Sequence, residues 1–171
     1  MKHKNSSGRS LVEMLGVLAI MGVITVMGIA GYTQAMNRAR RNSFEGQLSE
    51  IIQNVRDLYS SKSLPIAAYI HGKLRTIGVP MTDPWGNEIK VYTNAGYMEE
   101  SQDFDVNTAY FAVVTDKLAA ADCVHISNAC LIQSAFRVSV NTTPVDVKSS
   151  MDEIVAACNR QENEVTGYWR K

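Results

Sequence analysis

"NSSGRSLVEMLGVLAIMGVITVMGIAGY", residues 5–32, sets one glutamate, Glu13, at the start of an apolar run. No further charge follows until Arg38. From Met14 to Met36 the chain runs 23 residues without a charge, rich in Val, Ile, Leu, Met and Gly. The hydrocarbon core of a bilayer takes about 20 helical residues, so the run has the length of a membrane span. A cleaved secretory signal has a shorter apolar part and ends in a small-residue cleavage site. Here Tyr32, Gln34, Asn37 and Arg38 instead continue a helical pattern. A carboxylate at the edge of such a segment is either an interfacial residue, cheaply hydrated, or one whose partner is itself in the membrane.

Working outward, "MKHKNSSG" (residues 1–8) is a short polar leader with no apolar core of its own. Beyond the span, Phe44, Leu48, Ile51, Ile52, Val55, Leu58 and Tyr59 recur at steps of three and four and define one helical face. Glu45, Gln47, Glu50, Gln53, Asn54 and Asp57 occupy the opposite side. A single helix from Ser10 to Ser60 would be about 75 Å long at about 1.5 Å per residue, far more than an anchor needs. "SSKSLP" (60–65) ends it, because Pro65 pushes its predecessor out of the helical region.

The remainder reads as strands with short helices between them. "DPWGN" (83–87) is a turn signal ahead of an alternating strand, "EIKVYT" (88–93). "AYFAVVT" (109–115) predicts a second strand and "DKLAAADCVHI" (116–126) a short helix opened by Asp116. "LIQSAFRVSV" (131–140) predicts a third strand, "DVKSSMDEIVAAC" (146–158) another helix and "EVTGYWR" (164–170) a last strand. The expected class is α+β, a small sheet covering the apolar face of the long helix.

The charge balance, 17 acidic against 17 basic residues, carries no nucleic-acid footprint. Flanking charges do not orient the span, since Lys2, Lys4 and Arg9 on one side face Arg38, Arg40 and Arg41 on the other. The three cysteines, Cys123, Cys130 and Cys158, all lie in the C-terminal part, which fits an oxidising compartment. Arg38, Arg40 and Arg41 are suited to lipid headgroups or to acidic side chains of a neighbouring copy.

The opening stretch resembles the class III signal of type IV pilins and their relatives, in which a basic leader ends in Gly, a prepilin peptidase cuts after it and the new N-terminus is methylated. The resemblance places the cut between Gly8 and Arg9 and puts Glu13 at the fifth mature position. It implies that Glu13 pairs with the N-terminal amine of a neighbouring subunit, setting register in a filament whose core is built from Met14–Met36. Gly16, Gly22, Gly28 and Gly31 suit close helix approach. Two departures are Arg9, where many members carry Phe, and the absence of a proline from the span.

The last third resembles type IVb pilins, in which one cysteine follows a strand on a short helix and another precedes the final strand. That resemblance implies a Cys123–Cys158 disulfide, with Cys130–Cys158 as the rival pairing. "DPWGNEIKVY" (83–92) is instead similar to a segment of the major pseudopilin of type II secretion systems. The resulting division is a leader at 1–8, a transmembrane and filament-core helix at 9–36, its amphipathic continuation at 37–60 and a globular head at 61–171. The implied partners are a homo-oligomeric helical filament, a prepilin peptidase, an inner-membrane assembly platform and, before assembly, the membrane. The implied location is the bacterial inner membrane, with the head in the periplasm, and then an extracellular fimbrium. A pseudopilin and a signal-anchored binding domain that never polymerises are the alternatives.

No cofactor or metal is expected and no enzyme. "DFDVN" (103–107) imitates a calcium loop but lacks Gly at the sixth position, Thr108, and Glu at the twelfth, Val114. Cys123, His125 and Cys130 match no zinc spacing, and Trp85, Tyr168 and Trp169 are packing residues by composition. A cleft gathering His71 or His125 with a carboxylate would be the signature of an enzyme.

Overall fold

The computed structural model of the chain describes residues 7–65, 68–93 and 109–171. The leader residues 1–6 and the "DFDVN" segment lie outside them. The chain divides into two units, Met1–Ala39 and Arg40–Lys171, each described by itself. Helix α1 (Ser7–Leu58) supplies the described part of the first unit and the opening element of the second. There follow β1 (Ala68–Tyr69), α2 (His71–Thr76), β2 (Lys90–Thr93), β3 (Tyr110–Leu118), α3 (Ala120–Ile132), β4 (Arg137–Val140), β5 (Thr143–Val145), α4 (Met151–Ala157) and β6 (Asn163–Arg170).

In the second unit the six strands form one antiparallel sheet of order β1-β2-β3-β6-β4-β5. The last strand in sequence is therefore central, inserted between β3 and β4. Strand alternation sorts its side chains: Phe111, Val113 and Trp169 join the main core, whereas Tyr110, Ala112 and Tyr168 cluster with Phe136 on the other face. Phe44, Leu48, Ile51, Ile52, Val55 and Tyr59 of α1 are all buried in that main core, as their helical spacing requires. Leu58, read as part of the same stripe, is exposed.

Polar groups fasten α1 to its neighbours in this unit. Gln133 Nε2 donates to the Glu45 carbonyl (2.8 Å), and Gln47 Nε2 to the carbonyls of Pro80 (2.7 Å) and Thr82 (2.8 Å). The Arg41 guanidinium reaches Asp122 at 3.0 Å, so one of the three arginines read as membrane or neighbour contacts is occupied within its own chain. In the "DPWGN" turn the buried Asp83 carboxylate accepts from the backbone N–H groups of Trp85 (3.0 Å) and Asn87 (2.7 Å). Gly86 takes φ +95° there. The turn sets Trp85 against Phe44, ring centroids 5.8 Å apart, so this segment has a structural cause of its own.

Three boundaries differ from the sequence reading. Asp116 does not open α3; it lies in β3, and its carboxylate meets the Lys90 ammonium at 2.8 Å across the β2–β3 pair. That hydrogen bond is the main reason the lysine titrates above its usual range. The helix starts after Ala119 and runs to Ile132, so Leu131 and Ile132 end a helix where a strand was expected. Strand β4 begins at Arg137, after Ser134 turns the chain at φ +62°. α4 is shorter than 146–158 because Ser150 caps it in a reciprocal box with Glu153.

Candidate functional site

In the first unit the side chains described from Leu11 to Ala39 are exposed, including Leu11, Val12, Met14, Leu15, Val17, Leu18, Ile20, Met21, Val23, Ile24, Val26, Met27 and Ile29. The helix is apolar on every side, unlike a surface helix of a globular domain, which buries one stripe. It is long and apolar enough to cross a membrane, and none of its apolar window is buried within the chain. Its two threonine hydroxyls are satisfied internally: Thr25 Oγ1 donates to the Met21 carbonyl (2.8 Å) and Thr33 Oγ1 to that of Ala30 (2.9 Å). Such back-bonding removes the cost of taking a hydroxyl out of water.

Glu13 has no such arrangement. It is exposed, at the start of the apolar run, with no hydrogen-bonding or ionic partner among the described residues. An unpaired carboxylate carried into an apolar phase costs several kcal/mol, so burial of this stretch of the helix calls for a cationic partner or for protonation of the carboxyl. Gly8 and Arg9 lie in the first turn of the same helix. At Gly16, Gly22, Gly28 and Gly31 an added Cβ would meet nothing within 4 Å. At about 100° per residue these four positions distribute around the helix and do not line one stripe.

In the second unit Cys123, near the start of α3, is joined to Cys158, the C-cap of α4, with their Cα atoms 5.9 Å apart. The bridge encloses α3, the β4–β5 hairpin and α4. Asn163 sits beside this region at 1% exposure. It donates to the carbonyls of Leu118 (3.0 Å) and Arg160 (2.9 Å) and accepts from Asn141 Nδ2 (2.8 Å). Cys130 is free and buried, and burial pushes its thiol up to about 12. With Cys123 in the bridge and Cys130 protonated, the Cys123, His125, Cys130 set has no thiolate to offer a metal or a substrate.

Both histidines named as enzyme markers do have carboxylate neighbours. His71 Nε2 lies 3.3 Å from Glu88 and its Nδ1 3.1 Å from the Ile89 carbonyl, and His125 Nε2 lies 3.0 Å from Glu45. Neither pair lines a cleft of about 400 Å³ between α1 and the Pro80–Pro84 turn, or one of about 460 Å³ between the β4–β5 hairpin and α4. Among the described residues no cluster of three His, Cys, Asp or Glu side chains could hold a metal ion.

No protein-family model and no curated protein matches the sequence. Solved structures do. The fold is similar to that of TcpA, a type IV pilin from Vibrio cholerae El Tor biotype, with TM-score 0.54 and 11% identity over 76% of this chain and 98% of that one. It is similar also to a type IVb pilin from Salmonella typhi, with TM-score 0.54 and 14% identity over 75% and 96% of the two chains. The chain has the type IV pilin fold: a long N-terminal helix, an antiparallel sheet and short helices.

Proposed function

We propose that this chain is the prepilin of a type IVb pilus: a structural subunit that polymerises into a helical filament serving adhesion, aggregation, motility or mating contact. A prepilin peptidase removes residues 1–8 by cutting between Gly8 and Arg9. The span at Met14–Met36 holds the subunit in the bacterial inner membrane with its head in the periplasm until an assembly platform extracts it. In the filament Glu13 meets the amine of Arg9 on a neighbouring subunit. That pairing supplies the cation the carboxylate needs and fixes the register between copies.

One observation carries this reading: a helix apolar all round, with one carboxylate at its edge that has no partner among the described residues, on a chain of pilin fold. A membrane alone would accept the apolar surface. It tolerates a glutamate at the hydrated edge of the run but gives that residue no role. The Cys123–Cys158 bridge favours a pilus subunit over a secretion pseudopilin, the neighbouring reading, and the "DPWGN" turn does not decide between them because its residues are explained by local bonding.

The test is Glu13→Ala and Glu13→Gln in the full chain, followed through membrane insertion, processing and recovery in a sheared filament fraction. Both variants are expected to insert and to be cut, and to fall about tenfold or more in the filament fraction, since losing one partner of a buried ion pair costs more than 1.4 kcal/mol. Filaments at the normal yield from either variant would remove the pairing, and with it the reason for a glutamate at this position.

A further inference from the structure

At the β1 edge of the sheet both ring nitrogens of one histidine lie beside oxygen acceptors. His71 opens α2, and its ring stacks on that of Tyr69 in β1, with centroids 5.4 Å apart and planes 12° apart. Nδ1 lies 3.1 Å from the Ile89 carbonyl, and Nε2 lies 3.3 Å from a Glu88 carboxylate oxygen. A carbonyl oxygen can only accept, so Nδ1 carries a proton and donates it. In the neutral ring Nε2 is then a bare acceptor beside an ionised carboxylate, which is an acceptor too. Two acceptors so close repel unless a cation lies between them.

That cation is a proton or a metal ion, and distance separates the two. A charge-assisted N–H···O bond closes to about 2.7–2.9 Å. Tetrahedral zinc, with bonds of about 2.0–2.1 Å to nitrogen and about 2.0–2.2 Å to oxygen, holds two such donors about 3.4 Å apart. At the observed 3.3 Å an ion bonded to both would subtend about 105°. The separation requires neither side chain to move. We infer that His71 Nε2 and a Glu88 carboxylate oxygen form a two-donor site for a zinc-class divalent cation, with water completing its coordination. Both donors are also held from behind. The Ile89 carbonyl fixes the tautomer that frees Nε2, the Tyr69 ring fixes the imidazole plane, and the Tyr69 hydroxyl donates to the Glu88 carboxylate. Metal-binding histidines almost always donate their second nitrogen to a carbonyl, a carboxylate or water in this way. The imidazole is 12% exposed and the carboxylate 54%, so the ring is preset and the ion enters from the Glu88 side. Lys90, two residues on, does not compete for Glu88, because Asp116 holds its ammonium. The other such pair, His125 with Glu45 at 3.0 Å, lacks a backbone anchor on its ring among the described residues.

The experiment uses the full chain in detergent, its three histidines labelled with nitrogen-15, titrated with zinc chloride at neutral pH and followed by NMR. Before zinc is added His71 should be neutral with its proton on Nδ1. Zinc should shift the Nε2 resonance of that ring and saturate at one ion per chain, while His3 and His125 report any binding elsewhere. Glu88→Gln, at a half-exposed position where the change leaves the fold intact, is expected to weaken binding by at least about tenfold, and His71→Gln to abolish it. Tyr69→Phe removes only the hydroxyl behind Glu88 and should weaken binding about tenfold with the stoichiometry unchanged.

An imidazolium at His71 at neutral pH would put a proton where the ion is inferred and overturn the site. Zinc that shifts only His3 or His125 would overturn it too, as would equal affinity for zinc in Glu88→Gln and the unaltered chain. Filament assembly enters none of these readouts, so the site stands or falls apart from the proposed function.

Discussion

Gly167→Ala and Gly46→Ala are the same chemical change and should have opposite effects on the stability of the head. On the central strand β6, Gly167 and Trp169 share a face, and the indole lies over the glycine. An added Cβ at 167 would fall 2.3 Å and 2.7 Å from two carbons of that ring and 3.1 Å from Cys130 Sγ. Ordinary carbon contacts are about 3.5–4.0 Å, so the ring must retreat by roughly 1 Å. It has nowhere to go: Trp169 is fully buried, lies 6.0 Å from the Phe111 ring centroid and donates through Nε1 to the Gln133 carbonyl at 2.9 Å. Overpacking costs about 1–3 kcal/mol and the strained hydrogen bond about 1 more. The expected loss is about 3 kcal/mol, or roughly 10 °C in Tm for a unit of this size. Gly46 is an exposed residue of α1 with nothing within 4 Å of an added Cβ, so alanine there should gain about 0.5–1 kcal/mol through helix propensity. Denaturant unfolding of the detergent-solubilised chain, followed by tryptophan fluorescence at unchanged m-value, measures both. A Gly167→Ala protein within 0.5 kcal/mol of wild type, or a destabilised Gly46→Ala, would refute the packing described around β6 and α1.

Replacing Cys123 and Cys158 together by alanine should cost about 4 kcal/mol on the chain-entropy estimate for a bridge of 35-residue separation, read as a fall in the unfolding midpoint that reductant reproduces in the wild type. Cys130 should resist iodoacetamide at pH 8 in the native protein and react once unfolded. Its raised pKa makes the native state hold its proton from the ordinary thiol value of 9.0 up to about 12, so its contribution to stability is complete below pH 9 and lost as pH rises through that window; a Cys130→Ala variant should show a flatter alkaline limb. Thr142→Gly should stabilise the head by about 1 kcal/mol, because a β-branched residue at φ +77° gives way to one that adopts the conformation freely; differential scanning calorimetry would show the rise.

The long helix and the buried stripe from Phe44 to Tyr59 were legible because their apolar residues repeat at the helical period over many turns. Leu58, the last residue of the helix, falls at the margin of that stripe and is exposed, while Tyr59 beside it is buried. Other elements left no such trace. β1 has two residues, and α2 follows Ile70, whose side chain does not cap it. α3 is likewise uncapped, at Ala119, so the nearest capping residue, Asp116, drew the boundary toward itself although it serves the Lys90 pair. The β4–β5 hairpin turns through Asn141 and Thr142, both at positive φ, where the readable signal would be Asn-Gly. Pro144 then hides β5, since proline in a strand is tolerated only at an edge.

Glu13 was legible as an anomaly of charge in an apolar run, needing no tertiary information. The apolar residues exposed on the head were not. Ile77, Met151 and Val155 look in sequence like any other core candidates, and only burial of their neighbours Leu74 and Ile154 shows that they face outward. The disulfide came from a resemblance in spacing between cysteines and strands, which pure counting could not have chosen among the pairings.

The most direct measurement is the intact mass, with and without reduction and alkylation, of the protein recovered from a sheared surface fraction and from the membrane. A surface species beginning at Arg9, carrying one methyl group and one disulfide, is the predicted result for a processed subunit in an extracellular filament. The same processed species confined to the membrane would point to a pseudopilin. An uncut chain beginning at Met1 in every fraction would contradict the proposal that this helix is released from its leader to build a filament.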